Sequence, residues 1–390
     1  MKIMVLTTGH RPDDDRIYFK QVVSLLTVYP RIQLVAPVRP GETYHLAPAI
    51  ELHPLSGRGG LWGRLLRVFQ AACRVVRLRP DFCHFHDLDF VVAVPPLRWL
   101  TRTRFIYDAH EVYPESMLIS PKIPAVLRPL AARIVDVVEK ACARRCALVV
   151  TADEPNSESF VRTRVPTITV FNYPRLSLFA VDPRRLDELR REYAGRRVLI
   201  YQGTMSRERG LFHMLDGMRR LKEDVPTALL LLVGLKEPDL RAQADAQIAR
   251  DGLAGHVAIL PWVPHADVPA YVALADVGLA PLQPNPKFNK NIPLKVFEYM
   301  ACGVPVLAAD LPAIAHFIAD SGAGVLYDST DAAAFAREVK RLLADDAGRA
   351  AMAQAGRAAV ARLWNWGEME KRLLAAYAGL ENGVRARNEP

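Results

Sequence analysis

Short apolar runs recur along the chain and alternate with longer stretches in which apolar residues follow helical spacing. In the N-terminal part the runs predict strands at Ile3–Thr7, Ile32–Ala36, Phe82–His86, Phe105–Asp108, Ala147–Thr151 and Ile168–Phe171. In the C-terminal part they predict strands at Val198–Gln202, Ala228–Val233, Val257–Leu260, Val277–Ala280, Val304–Ala308 and Gly324–Tyr327. Helical patterns lie between most of them, for example Asp15–Leu26, Pro129–Arg145, Gly210–Leu221 and Ala332–Leu343.

This alternation predicts an α/β protein with two doubly wound, Rossmann-like domains, each built on a parallel sheet. We place the domains at 1–175 and 176–363, because the break between the two strand sets falls after Asn172-Tyr173-Pro174. Ligands of such sheets bind beyond the carboxyl ends of the strands. A nucleotide or an acceptor is therefore expected in a cleft between the domains.

The composition is that of a globular protein, with 51% hydrophobic and 24% charged residues in 390. No apolar run approaches the length of a membrane span, and the N-terminal run is too short for a signal peptide. We therefore expect a cytoplasmic protein.

The positive charge is concentrated in the N-terminal half, where residues 1–180 hold 24 Lys and Arg against 16 Asp and Glu. The densest stretch, 58–79, places four arginines at helical spacing beside apolar residues: Arg64, Arg67, Arg74 and Arg77. Such a helix either lies on an anionic membrane surface or is an ordinary surface helix with a solvated arginine face. No recognition motif accompanies the charge, so a nucleic acid partner is not expected.

The segment from Asn289 to Asp310 is the most informative. It predicts a loop carrying Lys295, a short helix that begins close to Glu298 and ends at Gly303, and then a buried strand. A cation and a carboxylate three residues apart thus lie near a helix N-terminus, which itself attracts anions. The pair suits a nucleotide diphosphate, whose phosphates need positive groups and whose ribose hydroxyls need an acceptor.

The loop after the first strand of the C-terminal domain supports the same interpretation. Gly203 permits close backbone approach to a phosphate, Thr204 follows it, and Arg207 or Arg209 can reach the phosphate with a forked donor. Together with Lys295 and Glu298 this loop predicts a two-sided nucleotide clamp. Gly234 follows the next strand and adds a loop for a base or a sugar.

Two loops of the N-terminal domain carry further candidates. Gly9 and His10 follow the first strand and are candidates for ligand contact. The next residues, Asp13 to Asp15, could suggest a metal site, but we favour helix capping with Asp15 as the N-cap.

The stretch after the strand ending at Asp108 is unusually rich in titratable groups. Asp108, His110 and Glu111 fall within four positions, and His86 follows the preceding strand. No second cluster has matching spacing for a metal. The loop is therefore either a substrate-binding loop or a polar loop whose Asp108 and His110 satisfy backbone groups.

The sequence lacks a nucleophile elbow, a Walker loop and a zinc pattern. With no hydrolase nucleophile in view, catalysis is expected to depend on positioning and on stabilisation of charge.

Together these segments resemble the retaining glycosyltransferases of family 4, which have the GT-B fold. The resemblance covers nearly the whole chain and is carried by the early glycine loop, Asp108-Ala109-His110-Glu111, Asn172-Tyr173-Pro174, the Gly203 loop and, most specifically, Lys295 to Gly303. It implies a nucleotide-sugar donor bound mainly by the C-terminal domain and an acceptor bound mainly by the N-terminal one. It also implies that the last helix, 364–385, returns to the N-terminal domain.

The resemblance implies a role for each matching residue. Glu298 would accept hydrogen bonds from the donor ribose, and Arg209 and Lys295 would hold the diphosphate and stabilise the leaving group. His110 would lie beside the transferred sugar, and Gly9 would approach the phosphates. No metal or other cofactor is expected, because retaining members generally need none and the leaving phosphate assists deprotonation of the acceptor.

Two departures limit what the resemblance implies. Many relatives have two glutamates eight positions apart, whereas here Lys290 stands at the earlier position, so the sugar cannot be inferred. Many also have arginine after the loop glycine, where this chain has Thr204. Phosphate binding would then depend more on Arg209 and Lys295.

Three functions remain open. The first hypothesis is a retaining glycosyltransferase of surface-polysaccharide or glycolipid assembly, acting on a glycan or lipid-linked acceptor at the inner membrane face. The second is a nucleotide-sugar epimerase of the same architecture, with Asp108, His110 and Glu111 as its acid and base groups. The third is a non-catalytic member that binds a partner or a glycan.

Overall fold

The chain folds into two compact units, each with its own sheet. The computed structural model describes residues 1–57, 60–264 and 266–388, with side chains as far as residue 382. The first unit consists of Met1–Asn172 together with the chain from Trp366 onward, and the second is Tyr173–Asn365.

The first unit is built on a parallel sheet. Over the described residues its seven strands have the order β3-β2-β1-β4-β5-β6-β7. The strands are β1 Ile3–Leu6, β2 Ile32–Pro37, β3 Ile50–Leu55, β4 Phe82–Phe85, β5 Arg104–Ala109, β6 Leu148–Thr151 and β7 Thr167–Thr169. Every residue of β1, β4 and β6 is buried, as expected for strands covered on both faces. The six strands predicted for this part are confirmed, with ends within two residues.

The sequence pattern did not predict β3, which lies at the edge of the sheet and pairs with β2. The strand contains Glu51, His53 and Pro54, and most of it is only partly buried. Proline cannot donate to a ladder and is tolerated at sheet edges, so an edge strand can form without a continuous apolar run.

Helices cover both faces of this first sheet. A π-helical segment, Asp15–Val22, continues into α1 (Val23–Leu25) and matches the predicted helix at 15–26. The other helices of this part are α2 Leu61–Leu78, α3 Leu88–Val91, α4 Val94–Leu100, α5 Tyr113–Leu118, α6 Arg128–Ala143 and α7 Glu154–Phe160.

The predicted basic helix is α2. Its buried residues are small, namely Gly63, Ala71 and Val75, while Trp62 and Phe69 are exposed. Arg58, where the basic stretch begins, lies outside the described residues. Within the described ranges, no helix is long and apolar enough to cross a membrane.

The second unit contains the other parallel sheet, with the order β10-β9-β8-β11-β12-β13 in the described part of the chain. Its strands are β8 Arg197–Gln202, β9 Ala228–Val233, β10 Val257–Leu260, β11 Val277–Ala280, β12 Val306–Ala309 and β13 Gly324–Tyr327. All six were predicted. Its helices are α8 Pro183–Glu192, α9 Leu211–Leu221, α10 Pro238–Arg250, α11 Val268–Leu274, α12 Lys295–Cys302, α13 Pro312–Ser321, α14 Ala332–Ala344 and α15 Asp346–Arg362.

The last helix, α16 (Trp366–Asn388), belongs to the first unit. Its buried Trp366 donates from Nε1 to the hydroxyl of Ser24 at 2.8 Å. Further along the same helix, the hydroxyl of Tyr377 lies 2.9 Å from Nδ1 of the buried His84. Arg104 donates to the carbonyl of Leu380 at 2.7 Å. These contacts anchor α16 to α1, β4 and β5.

Candidate functional site

In the second unit the strand order reverses between β8 and β11, which are neighbours in the sheet. The loops that follow these two strands leave from the same edge, and such a reversal is where open α/β sheets bind ligands. The predicted clamp residues lie there: Gly203, Thr204 and Arg209 follow β8, while Lys295 and Glu298 lie in the first turn of α12, beyond β11.

The loop after β8 is held by hydrogen bonds to its backbone. Gly203 has φ of 99°, a conformation that L side chains rarely adopt, and its N–H donates to the carbonyl of Val233 at 2.9 Å. The hydroxyl of Tyr201 donates to the carbonyl of Thr204 at 3.0 Å. The backbone N–H of Arg209 donates to the Ser206 hydroxyl at 3.2 Å. The loop is thus ordered by hydrogen bonds within it and to β9.

Lys295 is the first residue of α12, so the prediction that this helix begins close to Glu298 was wrong by one turn. The sequence Pro293-Leu294 leads directly into the helix, because proline is well tolerated just before or within a first turn. The consequence is that both groups of the pair, cation and carboxylate, lie in the same helical turn.

Lys295 is buried, being only 7% exposed, and its ammonium lies 3.6 Å from the centre of the Tyr201 ring. Burial and the charge of Arg209 hold the pKa of Lys295 well below its usual range, and Glu298 opposes this. The Arg209 guanidinium itself lies 5.6 Å from the centre of the Phe288 ring. Two cations are therefore brought close together, an arrangement that an anion would stabilise.

The Glu298 carboxylate accepts a hydrogen bond from the side-chain amide of Gln202, the last residue of β8. A carboxylate in the first turn of a helix is favoured by the helix dipole. Gln202 thereby fixes the orientation of this carboxylate relative to the Gly203 loop.

The predicted Gly234 loop follows β9 and lies beside an aromatic side chain. A Cβ on Gly234 would lie 3.3 Å from the Trp262 ring, and the Lys236 ammonium is 3.9 Å from the centre of that ring. Trp262 is more than half exposed. This arrangement offers a flat surface and a cation to a ring-shaped group such as a base.

In the first unit the strand order reverses between β1 and β4. Gly9 follows β1, and a Cβ there would lie 2.5 Å from a carboxylate oxygen of Asp87, which follows β4. Asp87 also accepts from the Thr7 hydroxyl and from the Thr8 N–H, both at 2.7 Å. A side chain at position 9 would therefore displace the Asp87 carboxylate that joins the two loops at the reversal.

His10 pairs with Asp14, whose carboxylate oxygen lies 3.1 Å from Nδ1 of His10. Burial alone would lower the pKa of His10, but the bond to Asp14 and the charges of Asp87, Asp14 and Glu111 raise it to about 9. Burial would raise the pKa of Asp14, whereas the bond to His10 and its charge lower it to about 2. The two groups therefore form an ion pair near neutral pH.

Asp14 is also the N-cap of the helical segment, accepting from the N–H groups of Arg16 and Ile17. The prediction of Asp15 as the cap was wrong by one residue. Asp15 is the first helical residue and pairs with Lys20 at 2.6 Å. Neighbouring aspartates are equally good caps by type, so the sequence alone could not choose between them.

The Asp108 carboxylate is fully buried and belongs to an internal network. Arg16 donates to it from Nε at 3.1 Å and from Nη2 at 3.0 Å, and Gln21 donates from its amide. Burial would raise the pKa of Asp108, but the charge of Arg16 holds it well below its usual range. Asp108 is therefore ionised and positioned by Arg16.

His110 and Glu111 follow β5 at the same end of the sheet. Nδ1 of His110 lies 3.3 Å from the carbonyl oxygen of Asp108, which can only accept, so Nδ1 carries the proton. The ring centre of His110 lies 5.2 Å from that of His10 and 6.2 Å from that of the buried His86. Burial lowers the pKa of His110, although Asp108 opposes this. Glu111 is exposed.

His84, His86 and Asp108 each place one donor atom within 4.8 Å of the others, a spacing that could hold a metal ion. Arg16, however, already donates twice to the same carboxylate. Its fixed charge would repel a dication, so the donor set fits a metal poorly. A buried charge network agrees better with these contacts.

Sequence patterns did not identify Tyr201, Gln202, Arg16 or Asp14 as site residues. Tyr201 and Gln202 end a predicted strand and act through contacts with residues nearly a hundred positions away. A polar residue closing an otherwise apolar strand was the one local signal for Gln202. For Arg16 the one local signal was a cation followed directly by the apolar residues Ile17, Tyr18 and Phe19.

Comparison with known proteins agrees with this geometry. Residues 185–359 match the family model for glycosyl transferases group 1. The match includes the Gly203 loop, Arg209, Lys295 and Glu298. Most of the second unit is thus similar to glycosyl transferases group 1.

Curated relatives match part of the chain. A GDP-mannose-dependent alpha-(1-6)-phosphatidylinositol monomannoside mannosyltransferase of Mycolicibacterium smegmatis is 30% identical over 213 residues, covering 53% of this chain and 55% of the relative. A D-inositol 3-phosphate glycosyltransferase of Salinispora tropica is 35% identical over 144 residues, covering 37% of this chain and 28% of the relative. The chain thus spans about half or less of these relatives.

Solved structures match the whole chain in fold. Sucrose-phosphate synthase from Thermosynechococcus elongatus has a TM-score of 0.81 at 19% identity and covers 98% of this chain and 100% of its own. HepE of Anabaena in complex with UDP has a TM-score of 0.74 at 17% identity, and the match covers 97% of this chain and 100% of HepE. The fold class is therefore GT-B, as predicted.

Proposed function

We propose that this protein is a retaining glycosyltransferase of family 4 that moves a sugar from a nucleotide-sugar donor to a glycan or lipid-linked acceptor. The observation that carries the proposal is the grouping of Lys295, Glu298 and Arg209 around the Gly203 loop. It lies within the segment that matches glycosyl transferases group 1.

The donor site suits a nucleoside diphosphate. Lys295 and Arg209 supply two positive charges whose mutual repulsion a diphosphate would relieve, and they would stabilise the leaving group as its charge develops. Glu298, oriented by Gln202, would accept hydrogen bonds from the ribose hydroxyls. The Trp262 ring and Lys236 would lie beside the base.

The first unit would hold the acceptor. His10, His110 and Glu111 lie near the Gly9 loop at the sheet reversal, and His110 would lie beside the transferred sugar. The proton on Nδ1 leaves Nε2 of the neutral imidazole as an acceptor for a sugar hydroxyl. We propose no resident metal, a view supported by the Arg16 cation at Asp108.

The acceptor class follows from the relatives by analogy. Two mannosyltransferases among them, from Mycolicibacterium smegmatis and Mycobacterium leprae, carry a phosphatidylinositol unit in their names, and others carry inositol phosphate. An inositol-containing or lipid-linked acceptor is therefore the first class to test. Surface polysaccharide or glycolipid assembly at the cytoplasmic face of the membrane would provide such an acceptor, with the basic N-terminal half against anionic lipid.

The test is sugar transfer from radiolabelled UDP- and GDP-sugars to inositol phosphates, phosphatidylinositol and membrane lipid extracts. Lys295→Ala should reduce turnover at least tenfold, and nuclear magnetic resonance of the product should show the anomeric configuration of the donor. Lys340→Ala is the matched control, because that lysine is exposed on α14 and pairs with Asp224.

Three results would contradict the proposal. An inverted product would exclude retention. Isomerisation of the donor with no acceptor present would indicate an epimerase. Full turnover in Lys295→Ala would remove the site assignment.

A further inference from the structure

The helices on one side of the first unit expose large apolar side chains. Trp62 and Phe69 on α2 are 82% and 66% exposed, and Trp99 at the end of α4 is 95% exposed. The neighbouring Leu100 is also exposed. Aromatic side chains in such numbers on a surface mark an interaction site, because their exposure to water is unfavourable.

A groove of about 380 Å³ lies on this side, between α2 and α4. Its lining includes Ala72, Cys73, Val76, Pro96, Leu97 and Leu100. These side chains offer almost no polar surface. The volume falls in the lower part of the roughly 300–1,000 Å³ range of small-molecule sites, so the groove admits a slender apolar group.

The two helices that form the groove are positively charged. Arg77 lines the groove, and α2 and α4 together carry five arginines and no acidic residue: Arg64, Arg67, Arg74, Arg77 and Arg98. A more polar groove adjoins it at Leu100 and brings in Arg79 and Arg102. Its one carboxylate, Asp81, accepts from the Lys2 backbone N–H at 2.7 Å.

Building on the proposed function, we propose that this face docks on an anionic lipid bilayer and that one acyl chain of a bilayer phospholipid enters the groove between α2 and α4. An apolar slot between two basic helices complements a lipid, which joins an acidic headgroup to a hydrocarbon chain. A protein partner would need more hydrogen-bonding groups than this face offers, and Gln70 of α2 is already bonded to Ser56.

The experiment is flotation of the full-length protein with vesicles of phosphatidylcholine alone or with 30 mol% (about one lipid in three) phosphatidylglycerol. The wild type should float with the anionic vesicles only. Val76→Glu, which places a carboxylate at the groove, should weaken binding at least about tenfold. Trp99→Glu should act similarly, and its exposed side chain makes no packing contribution to lose. The matched control is Val161→Glu, an exposed valine outside the groove, which should bind as the wild type does.

A second experiment distinguishes binding of the acyl chain from binding of the charged headgroup. Dihexanoyl-phosphatidylglycerol below its micelle concentration should raise the melting temperature of the wild type but not of Val76→Glu, whereas glycerophosphoglycerol should have no effect on either. A shift with the headgroup alone would contradict occupation of the groove by an acyl chain.

Other outcomes would also overturn the proposal. Equal flotation of the wild type, Val76→Glu and Trp99→Glu would do so. The proposal would also be overturned if the wild type did not float but self-associated, and if Trp99→Glu abolished the self-association. That result would assign the face to a second copy of the chain. Binding of UDP or GDP, measured on each variant, tests the donor site separately, so failure of docking leaves the proposed reaction standing.

Discussion

The side-chain amide of Gln202 donates a hydrogen bond to the carboxylate of Glu298. The bond joins the end of β8 to the first turn of α12, so two segments 96 residues apart present one site. The carboxylate is oriented before any ligand arrives, which reduces the cost of ordering it on binding.

Replacing Gln202 by alanine should weaken binding of a nucleoside diphosphate about tenfold, since a hydrogen bond to a charged group is worth about 1.5–3 kcal/mol. Titration calorimetry measures the change. Gln354→Ala, an exposed glutamine on α15, is the control. Unchanged affinity in Gln202→Ala would show that Glu298 is held by other contacts.

Lys295 should make nucleotide binding dependent on pH. Its pKa is lowered in the free protein by burial and by Arg209, and a bound diphosphate would raise that pKa, so binding takes up a proton. Affinity should therefore fall as pH rises above the lowered pKa toward the ordinary lysine value of 10.5. Calorimetry in buffers of different ionisation enthalpy measures the proton uptake. Lys295→Arg should abolish it, because arginine stays charged. Equal uptake in this variant would assign the proton to another group.

His10 should contribute to stability in a defined pH window. Its folded pKa is about 9 against an ordinary value of 6.5, so the folded state binds more protons between those values. The contribution is complete below about pH 6.5 and is lost as pH rises through about 9. Urea unfolding of the wild type should therefore show a loss of stability over this window that His10→Gln lacks. His45→Gln, at an exposed site, should behave as the wild type does. Parallel pH profiles for His10→Gln and the wild type would contradict the ion pair with Asp14.

Asp108 should act mainly through Arg16. Asp108→Asn leaves a buried guanidinium without its charge partner and should lower the free energy of unfolding by about 3–5 kcal/mol. Asp13→Asn is the matched control, because the Asp13 pair with Arg11 is exposed and should cost about 1 kcal/mol or less. Denaturant titration of both variants gives the difference. A small loss for Asp108→Asn would show that the buried pair is dispensable.

Much of the fold could be predicted because central parallel strands are continuous apolar runs. The central strands β9 and β11 match their predicted bounds residue for residue. The edge strand β3 could not be predicted, because Pro54 and the polar residues beside it hide a strand that needs only one partner. The exact start of a helix could not be predicted where neighbouring residues are equally good N-caps, as with Asp14 and Asp15.

The candidate site was predictable where the residue type itself indicates a ligand contact, as a glycine, a cation or a carboxylate does in a loop after a buried strand. Gly203, Lys295 and Glu298 are conspicuous in the sequence, and the structure brings them to one edge of the sheet. The partners that hold them were not predictable. Tyr201 and Gln202 look like ordinary strand residues until β8 is placed beside α12, and Arg16 looks like a surface cation until its buried carboxylate is found.

The most direct test of the donor site is calorimetric titration of the wild type and Glu298→Ala with UDP and with GDP. We predict that the wild type binds at least one of the two and that Glu298→Ala binds it at least about tenfold more weakly, with Glu338→Ala on α14 unchanged. Equal affinity in the wild type and Glu298→Ala, or no binding of either nucleotide by the wild type, would contradict the account.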